Sequence, residues 1–463
     1  MEKSRLKKVM GTKDVIMVAF GAMIGWGWVI SSGEWIQKAG VIGTVLGFVF
    51  GGIMIYFVGL TYAELTTAMP ECGGVHVFVS EAFGKKCAFI STWAMILSYV
   101  GVVCFEACSL PTVIQYIFPE FMKGYLYTVK GFDIYFTWII LAIVCASMIT
   151  IINIRGIKSA ASLQNALTLI IGGVGIILVI SSAIKGEGDN CINQIFVGDL
   201  WGEKIKNVFS IGAIAPFFLF GFDVIPQVAE EVKVPLKKMG KLLMLSIILA
   251  VGFYACVVLA IGFILNGNEI QRSMNGAGLV AADAMAKAFN SDVMAKVMII
   301  AGMCGIITSW NAFLIGGSRA IYALSKDDML PKCFSKLHKK YGTPVNALVL
   351  IGVLSVIAPF FGKAMLLWVA NASSLACCVA YCFVAVSFLV LRKKNPTMER
   401  PYRIKRHVFV GVMAIFLSAL LILLYIIPNS GSTLEIQEWG MIALWITIGI
   451  VLQYICKYKK LKL

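Results

Sequence analysis

The sequence predicts an all-α polytopic membrane protein of twelve transmembrane helices, folded as a five-plus-five inverted repeat whose helices 1 and 6 are interrupted. Three observations lead there. The 463-residue chain is 59% hydrophobic and only 14% charged, whereas soluble domains carry roughly 25% charged residues. Runs of 25 or more residues without a charge separate Lys38 from Glu64, Lys158 from Lys185, Lys241 from Glu269 and Lys363 from Arg392. About 20 apolar residues cross a hydrocarbon core, and with no water there the backbone must bond to itself, so the spans are helices. Finally, glycine interruptions fall at matching places in two of the spans.

The twelve spans are read at roughly 14–38, 41–63, 87–118, 133–153, 157–183, 206–232, 241–265, 294–324, 344–361, 364–391, 407–428 and 438–457. The first follows a basic N-terminus, as a signal peptide would. It is too long for an h-region and no small-residue cleavage site follows, so it is read as retained. Span one carries Gly25, Trp26 and Gly27 in succession, which reads as a place where the helix stops. Span six reads "APFFLFGFDVIPQVAEE", with 16 uncharged residues between Lys206 and Asp223, too few for an ordinary complete span. Each interrupted helix opens a block of five, 14–183 (helices 1–5) and 206–391 (helices 6–10). Transporters with inverted repeats place discontinuous helices at corresponding positions, with substrate at the breaks. Spans at 407–457 (helices 11 and 12) are peripheral additions. The competing reading of span one is close packing, since "GAMIG" has small-xxx-small spacing. Loops are short, so residues 1–463 form a single transmembrane domain; the outside loop 266–293 holds an amphipathic helix, "AADAMAKAFN".

Net charge is +16, and the positive-inside rule accounts for it. With both termini cytoplasmic, inside segments hold 30 Lys and Arg and outside loops hold 10. The charge is spread over short loops, so nucleic acid is not a partner; the lipid bilayer is. Of thirteen cysteines, only Cys191 lies clearly outside and most others fall within spans, as small buried hydrophobes do. The three histidines, His76, His338 and His407, lie in or near inside loops, and no His, Asp or Glu cluster marks a metal site. The sequence therefore predicts no metal, no cofactor and no enzyme.

A break at 24–28 exposes backbone groups, and the N-terminus of the second half-helix presents unpaired donors with partial positive charge. That suits a carboxylate. The break at 219–223 offers carbonyl acceptors for an ammonium, so a zwitterion fits between the two. Glu106 is the only acidic or basic residue between Lys86 and Glu120. Buried at depth, a carboxyl costs about 2.5–3.5 kcal/mol on insertion scales, so such groups usually face a cavity. Three roles stay open for it: holding a substrate cation, carrying a proton, or bonding to a neighbouring helix. Thr308 and Ser309 are candidate oxygen ligands for sodium. Glu34 lies near the outer interface, Asp223 is read as the cap of the second half of span six, and Glu230 and Glu231 as inner-gate or ion-pair residues.

The chain resembles the amino acid–polyamine–organocation (APC) superfamily of permeases, in its amino acid permease branch. "GAMIGWGW" (21–28) resembles the family's first-helix glycine motif, and "YAELTTAMPECGGVHVFVSEAFG" (62–84) its first cytoplasmic loop. "FGFDVIPQVAEEVKVP" (220–235) is similar to its sixth helix, and "SRAIYALSKDDMLPKCFSKLHKKYGTPVNAL" (318–348) to the join of helices eight and nine. The resemblance implies a secondary transporter of the cell membrane, working by alternating access on an amino acid or amine, with a proton or sodium ion as coupling partner. By position it implies that Ile24, Gly25, Trp26 and Gly27 bind the carboxylate. Phe217, Phe218 and Phe220, with Gly221 beside them, would supply carbonyls and an aromatic lid. Two departures stand out. Trp26 occupies a position where many relatives have Ser or Thr, and Ile171 falls where some proton-coupled relatives carry lysine. A polyamine or other organocation permease and a non-transporting, transporter-like sensor are the alternatives.

Overall fold

Each long apolar run of the sequence is helical in the computed structural model, which describes residues 6–129, 132–276, 278–362, 364–428, 430 and 432–461. The first predicted span is two helices, α1 (Thr12–Met23) and α2 (Gly27–Ala39), meeting at 41°. Then come α3 (Val41–Ala68), α4 (Val75–Phe83), α5 (Lys85–Ile117), a hairpin of β1 (Tyr125–Val129) and β2 (Phe132–Tyr135), α6 (Phe136–Ile154), α7 (Ile157–Lys185) and α8 (Gly188–Ile192). The second half holds α9 (Trp201–Leu219), α10 (Val224–Gln227), α11 (Leu236–Ile264), α12 (Gly267–Asn275), α13 (Val280–Phe289), α14 (Asp292–Lys326), α15 (Val345–Ile357) and α16 (Ala364–Lys394). Helices α17 (His407–Ile426) and α18 (Ile436–Leu461) close the chain.

Among the described residues, ten helices are long and apolar enough to cross a membrane, or eleven with the bent α1–α2 pair as one span. The predicted span 344–361 is a shorter apolar element: 13 residues of α15 and then a 3-10 turn containing Pro359. Two features were not foreseen. The 119–132 connection contains the first strand of an antiparallel hairpin, with Thr128 opposite Asp133 and Tyr127 opposite Ile134. The 266–293 connection holds two helices rather than one, and Asn266 and Glu269 cap α12 reciprocally at 3.0 and 2.9 Å. Lys287 of α13 reaches Glu269 at 2.7 Å, joining the two helices, which pack on α2.

The bundle has a centre and a rim. The buried share of the apolar segment is 89% in α5 and 78% in α14, but 6% in α18. Helix α14 lies against α1, α5 and α7, so it touches both the first break and the middle of α5. Helix α18 hangs on the rim by a mutual clasp with α5: Trp93 and Trp445 stack at 4.5 Å, each indole N–H donating to the other's carbonyl at 2.9 Å. At the basic end, Val9 and Met10 N–H groups donate to the Glu231 carbonyl and Lys233 N–H to that of Met10. Beneath them the buried Arg319 side chain pairs with Glu231 at 3.0 Å.

Close approach of α3 and α9 depends on glycine. A Cβ on Gly51 would lie 2.6 Å from the Ala215 Cβ and 3.0 Å from the Gly212 carbonyl oxygen, which no side-chain rotation relieves. Gly51→Val is expected to lower stability by about 1–3 kcal/mol through overpacking, seen as a lower melting temperature in detergent. Gly173→Ala, in α7 with nothing within 4 Å of its Cβ, is expected to hold or raise it, because alanine favours helix. Equal melting of wild type and Gly51→Val would overturn this account of the seam.

Candidate functional site

The two breaks lie against each other. At the first, Ile24 N–H still closes α1 on the Phe20 carbonyl at 3.0 Å, and α2 starts at Gly27. Three N–H groups, of Gly25, Trp26 and Gly27, meet no acceptor among the described residues. The carbonyls before them are engaged: Met23 accepts from the Tyr254 hydroxyl at 2.9 Å and Ile24 from the Trp28 indole at 3.2 Å. At the second, α9 ends on Leu219, and residues 220–223 are non-helical until α10 starts at Val224. Gly221 has φ +139°, and a Cβ there would stand 2.7 Å from the Ala22 Cβ. Only glycine both adopts that φ and lets α1 approach so closely. The carbonyls of Phe217, Phe218, Leu219 and Phe220 accept no hydrogen bond among the described residues.

Asp223 stands at the N-cap position of α10, yet its side chain caps nothing there. Its Oδ1 accepts the Gly221 N–H at 2.9 Å and the Tyr381 hydroxyl at 3.0 Å, and its Oδ2 accepts the Tyr99 hydroxyl at 2.5 Å. The expected cap is thus replaced by a brace, because the positive φ of Gly221 aims its N–H back at the carboxylate. Asp223 thereby ties the second break to α5 and α16.

Between the breaks lies a cavity of about 20 Å³, room for about one water. Of the residues singled out from sequence, Gly25, Trp26, Gly27, Glu106, Phe217, Phe218 and Ser309 line it. Ile24, Phe220, Gly221 and Thr308 do not. The Ile24 side chain faces Gly172 of α7. The Phe220 ring sits behind that of Phe313, centroids 4.9 Å apart. Thr308 turns its hydroxyl to the Gly305 carbonyl at 2.8 Å. Unforeseen are Ala22, Met23, Val102, Phe105, Tyr254 and Phe313 in the wall. Helical spacing could have found some of these: Val102 precedes Glu106 by four residues and Phe313 follows Ser309 by four, each on the same helix face. Nothing in the chain points to Tyr254, which arrives from α11.

Glu106 is 4% exposed. Its Oε1 accepts a short hydrogen bond from Ser309, while Oε2 is buried without a partner. The carboxyl lies at the first break itself, with Oε1 3.4 Å from the position of a Gly25 Cβ. Trp26 is fully buried, its six-membered ring lodged where any side chain on Gly302 would go, and its indole N–H has no partner. Gly305 lets the first break touch α14: a Cβ there would meet the Gly25 carbonyl oxygen at 3.0 Å, and the Ile171 methyl packs against the same point. The cavity is therefore lined by three residues with free N–H groups (Gly25, Trp26 and Gly27), two with free carbonyls (Phe217 and Phe218) and the unpartnered Glu106 oxygen, in a largely aromatic wall.

Residues 10–451 match the family model described as amino acid permease. The chain is 27% identical over 473 residues to a branched-chain amino acid permease of Bacillus subtilis (strain 168), covering 100% of this chain and 95% of that protein. It is 25% identical to the methylthioribose transporter of the same organism, over 98% of this chain and 94% of that one. It is also 25% identical to an aspartate-proton symporter from that strain, covering 91% and 80%.

The contact among Gly25, Ser309 and Glu106 can be tested. A Cβ on Gly25 would lie 2.7 Å from the Ser309 Oγ, so Gly25→Ala is expected to cost about 1–3 kcal/mol. Removing that oxygen with Ser309→Ala in the same chain should recover part of the loss, a coupling that a double-mutant cycle of melting temperatures reads directly. Additive effects would mean that the two residues do not touch.

Proposed function

The chain belongs to the amino acid permease family, and from that premise we propose that it is a secondary active transporter carrying a neutral, largely apolar amino acid across the cell membrane by alternating access. The observation that carries the reading is the meeting of free N–H groups at the head of α2 with free carbonyls at the end of α9. The donors suit an α-carboxylate, the carbonyls an α-ammonium, and membrane transporters build zwitterion sites at such discontinuities. Phe105, Phe217, Phe218 and Phe313 would enclose the side chain. A cavity of about 20 Å³ is too small for any amino acid, so the rings at the breaks part to admit one. Val345–Phe361 serves as the remaining span of a twelve-helix fold, with 14–183 and 206–391 as inverted repeats. Both termini are cytoplasmic, where 30 of the 40 Lys and Arg then lie.

Glu106 carries the coupling proton. It is the titratable group in the cavity wall with an unpartnered oxygen, and Ser309 holds it beside Gly25. Sodium is disfavoured at Thr308 and Ser309. Direct contact of Gly305 with Gly25, sealed by Ile171, leaves no gap there for a cation, and the Met23 and Ile24 carbonyls are already engaged. One relative bears the name of a proton symporter.

Uptake of labelled amino acids into proteoliposomes tests this. A neutral apolar amino acid should enter faster with an inward proton gradient and at the same rate without sodium. Glu106→Gln keeps size and hydrogen bonding but cannot titrate, so it should flatten the pH dependence. Loss of cationic substrates alone would instead assign Glu106 the role of a counter-ion. PH and substrate profiles both matching wild type would remove it from the mechanism.

Trp26 sets the size of the pocket in this reading, because its ring occupies the space beside Gly302. Trp26→Ser should change the rank order of competing amino acids, with larger side chains gaining. Unchanged competition would place the indole in packing alone.

A further inference from the structure

The loop between α16 and α17, residues 395–406, is fastened to the bundle by a buried carboxylate outside the cavity. Glu64, fully buried at the end of α3, accepts from Arg392 at 2.6 Å and from the Ile404 N–H at 2.8 Å, with Arg400 Nε at 3.2 Å from its other oxygen. One carboxylate therefore faces two guanidiniums. Burial, and behind it the positive charges of Arg392 and Arg403, pull Arg400 below its ordinary pKa against the opposing pull of Glu64. The fastening leaves a surplus of positive charge.

The same fastening brings a second basic segment alongside. Tyr402 is inserted into α11 at Gly240, where a Cβ would lie 2.7 Å from the ring. Lys237, Lys238 and Lys241 on the first turns of α11 thus flank Arg403, Lys405 and Arg406 of the loop. All six are exposed, and among the described residues none pairs with a carboxylate. Next to this patch the surface turns apolar: Tyr56 of α3 and Val408 and Phe409 of α17 are exposed, and Phe57 meets Phe409 edge-on at 5.8 Å. Fixed cations at the end of apolar helices, continuous with an exposed apolar and aromatic face, match a phosphate headgroup above acyl chains.

We propose that Lys237, Lys238, Lys241, Arg403, Lys405 and Arg406 form a headgroup site for an anionic phospholipid, whose acyl chains lie along the exposed faces of α3 and α17. The positive-inside rule explains basic loops in general. It does not require two segments some 160 residues apart to be locked together with none of these six cations in an ion pair among the described residues. The apolar face selects a lipid over a free phosphate. This inference rests on the membrane fold and not on the transport reading, so either can fail alone.

The test is binding of phosphatidylglycerol and phosphatidylcholine to the purified full chain in detergent, followed by native mass spectrometry. Phosphatidylglycerol is expected to bind and phosphatidylcholine to bind far more weakly. Near a membrane surface each cation contributes about fivefold in affinity. Arg403→Gln/Lys405→Gln/Arg406→Gln and Lys237→Gln/Lys238→Gln/Lys241→Gln should therefore each weaken binding about a hundredfold while melting as wild type does. The triple Lys336→Gln/Lys339→Gln/Lys340→Gln removes the same charge from another exposed loop and should leave binding unchanged. Equal loss in that control, wild-type binding by both site triples, or equal affinity for the two lipids overturns the proposal. Displacement of the lipid by millimolar inorganic phosphate would reassign the site to free phosphate.

Discussion

In a hydrocarbon medium an unpaired backbone N–H or C=O costs several kcal/mol, and the architecture around the two helix breaks is organised by that cost. Each interruption frees groups that an unbroken helix would have paired internally. The protein meets some of the demand with side chains: Tyr254, brought from α11, for the Met23 carbonyl, and two local ones, Trp28 for the carbonyl of Ile24 and Asp223 for the Gly221 N–H. What it leaves unmet is concentrated in one place. Gly25, Trp26 and Gly27 with their free donors, and Phe217 and Phe218 with their free carbonyls, line a single small cavity.

Buried carboxylates follow the same logic and differ in how completely they are satisfied. Glu64 faces two arginines and a backbone N–H. Glu231 is matched by Arg319. Asp223 has no cation, but two tyrosine hydroxyls and an N–H fill its oxygens. Glu106 has one serine and a bare oxygen. The first three hold elements together: α3 to the α16–α17 loop, the N-terminal segment's partner to α14, the second break to α5 and α16. An under-satisfied polar group in low dielectric is a high-energy feature, and here it stands beside Gly25 at the junction of α1, α5 and α14.

Aromatic packing joins the two sides of that junction. Phe217 touches Phe105 and Phe218, and Phe220 leans on Phe313, all with ring centroids within 6 Å. Phe218 in turn sits 4.8 Å from Trp35 on α2 and fills the space at Gly27. These rings bridge the two broken helices. Phe218 thereby packs α9 directly against α2 at the edge of the cavity.

How much was legible beforehand follows from the range over which each signal acts. Composition and uncharged runs report on solvent, so membrane helices could be read from the chain alone. Gly25 and Gly27 with Trp26 between them, and Gly221 ahead of Asp223 and Pro226, are local breakers, and both interruptions fall there. Glu106 was visible because a lone carboxyl in an apolar run is costly wherever the helix turns. What the sequence could not supply is rotation and register. A membrane helix is apolar on all faces, so no amphipathic stripe says which side points inward. Phe217 and Phe218 reach the cavity while Phe220 stands behind Phe313, and Thr308 turns away where Ser309 turns in. Tyr254 arrives from α11, and Tyr99 and Tyr381 converge on Asp223, only once α5, α11, α14 and α16 are packed against the breaks. Those contacts join residues more than a hundred positions apart, and only the fit of one helix surface on another selects them.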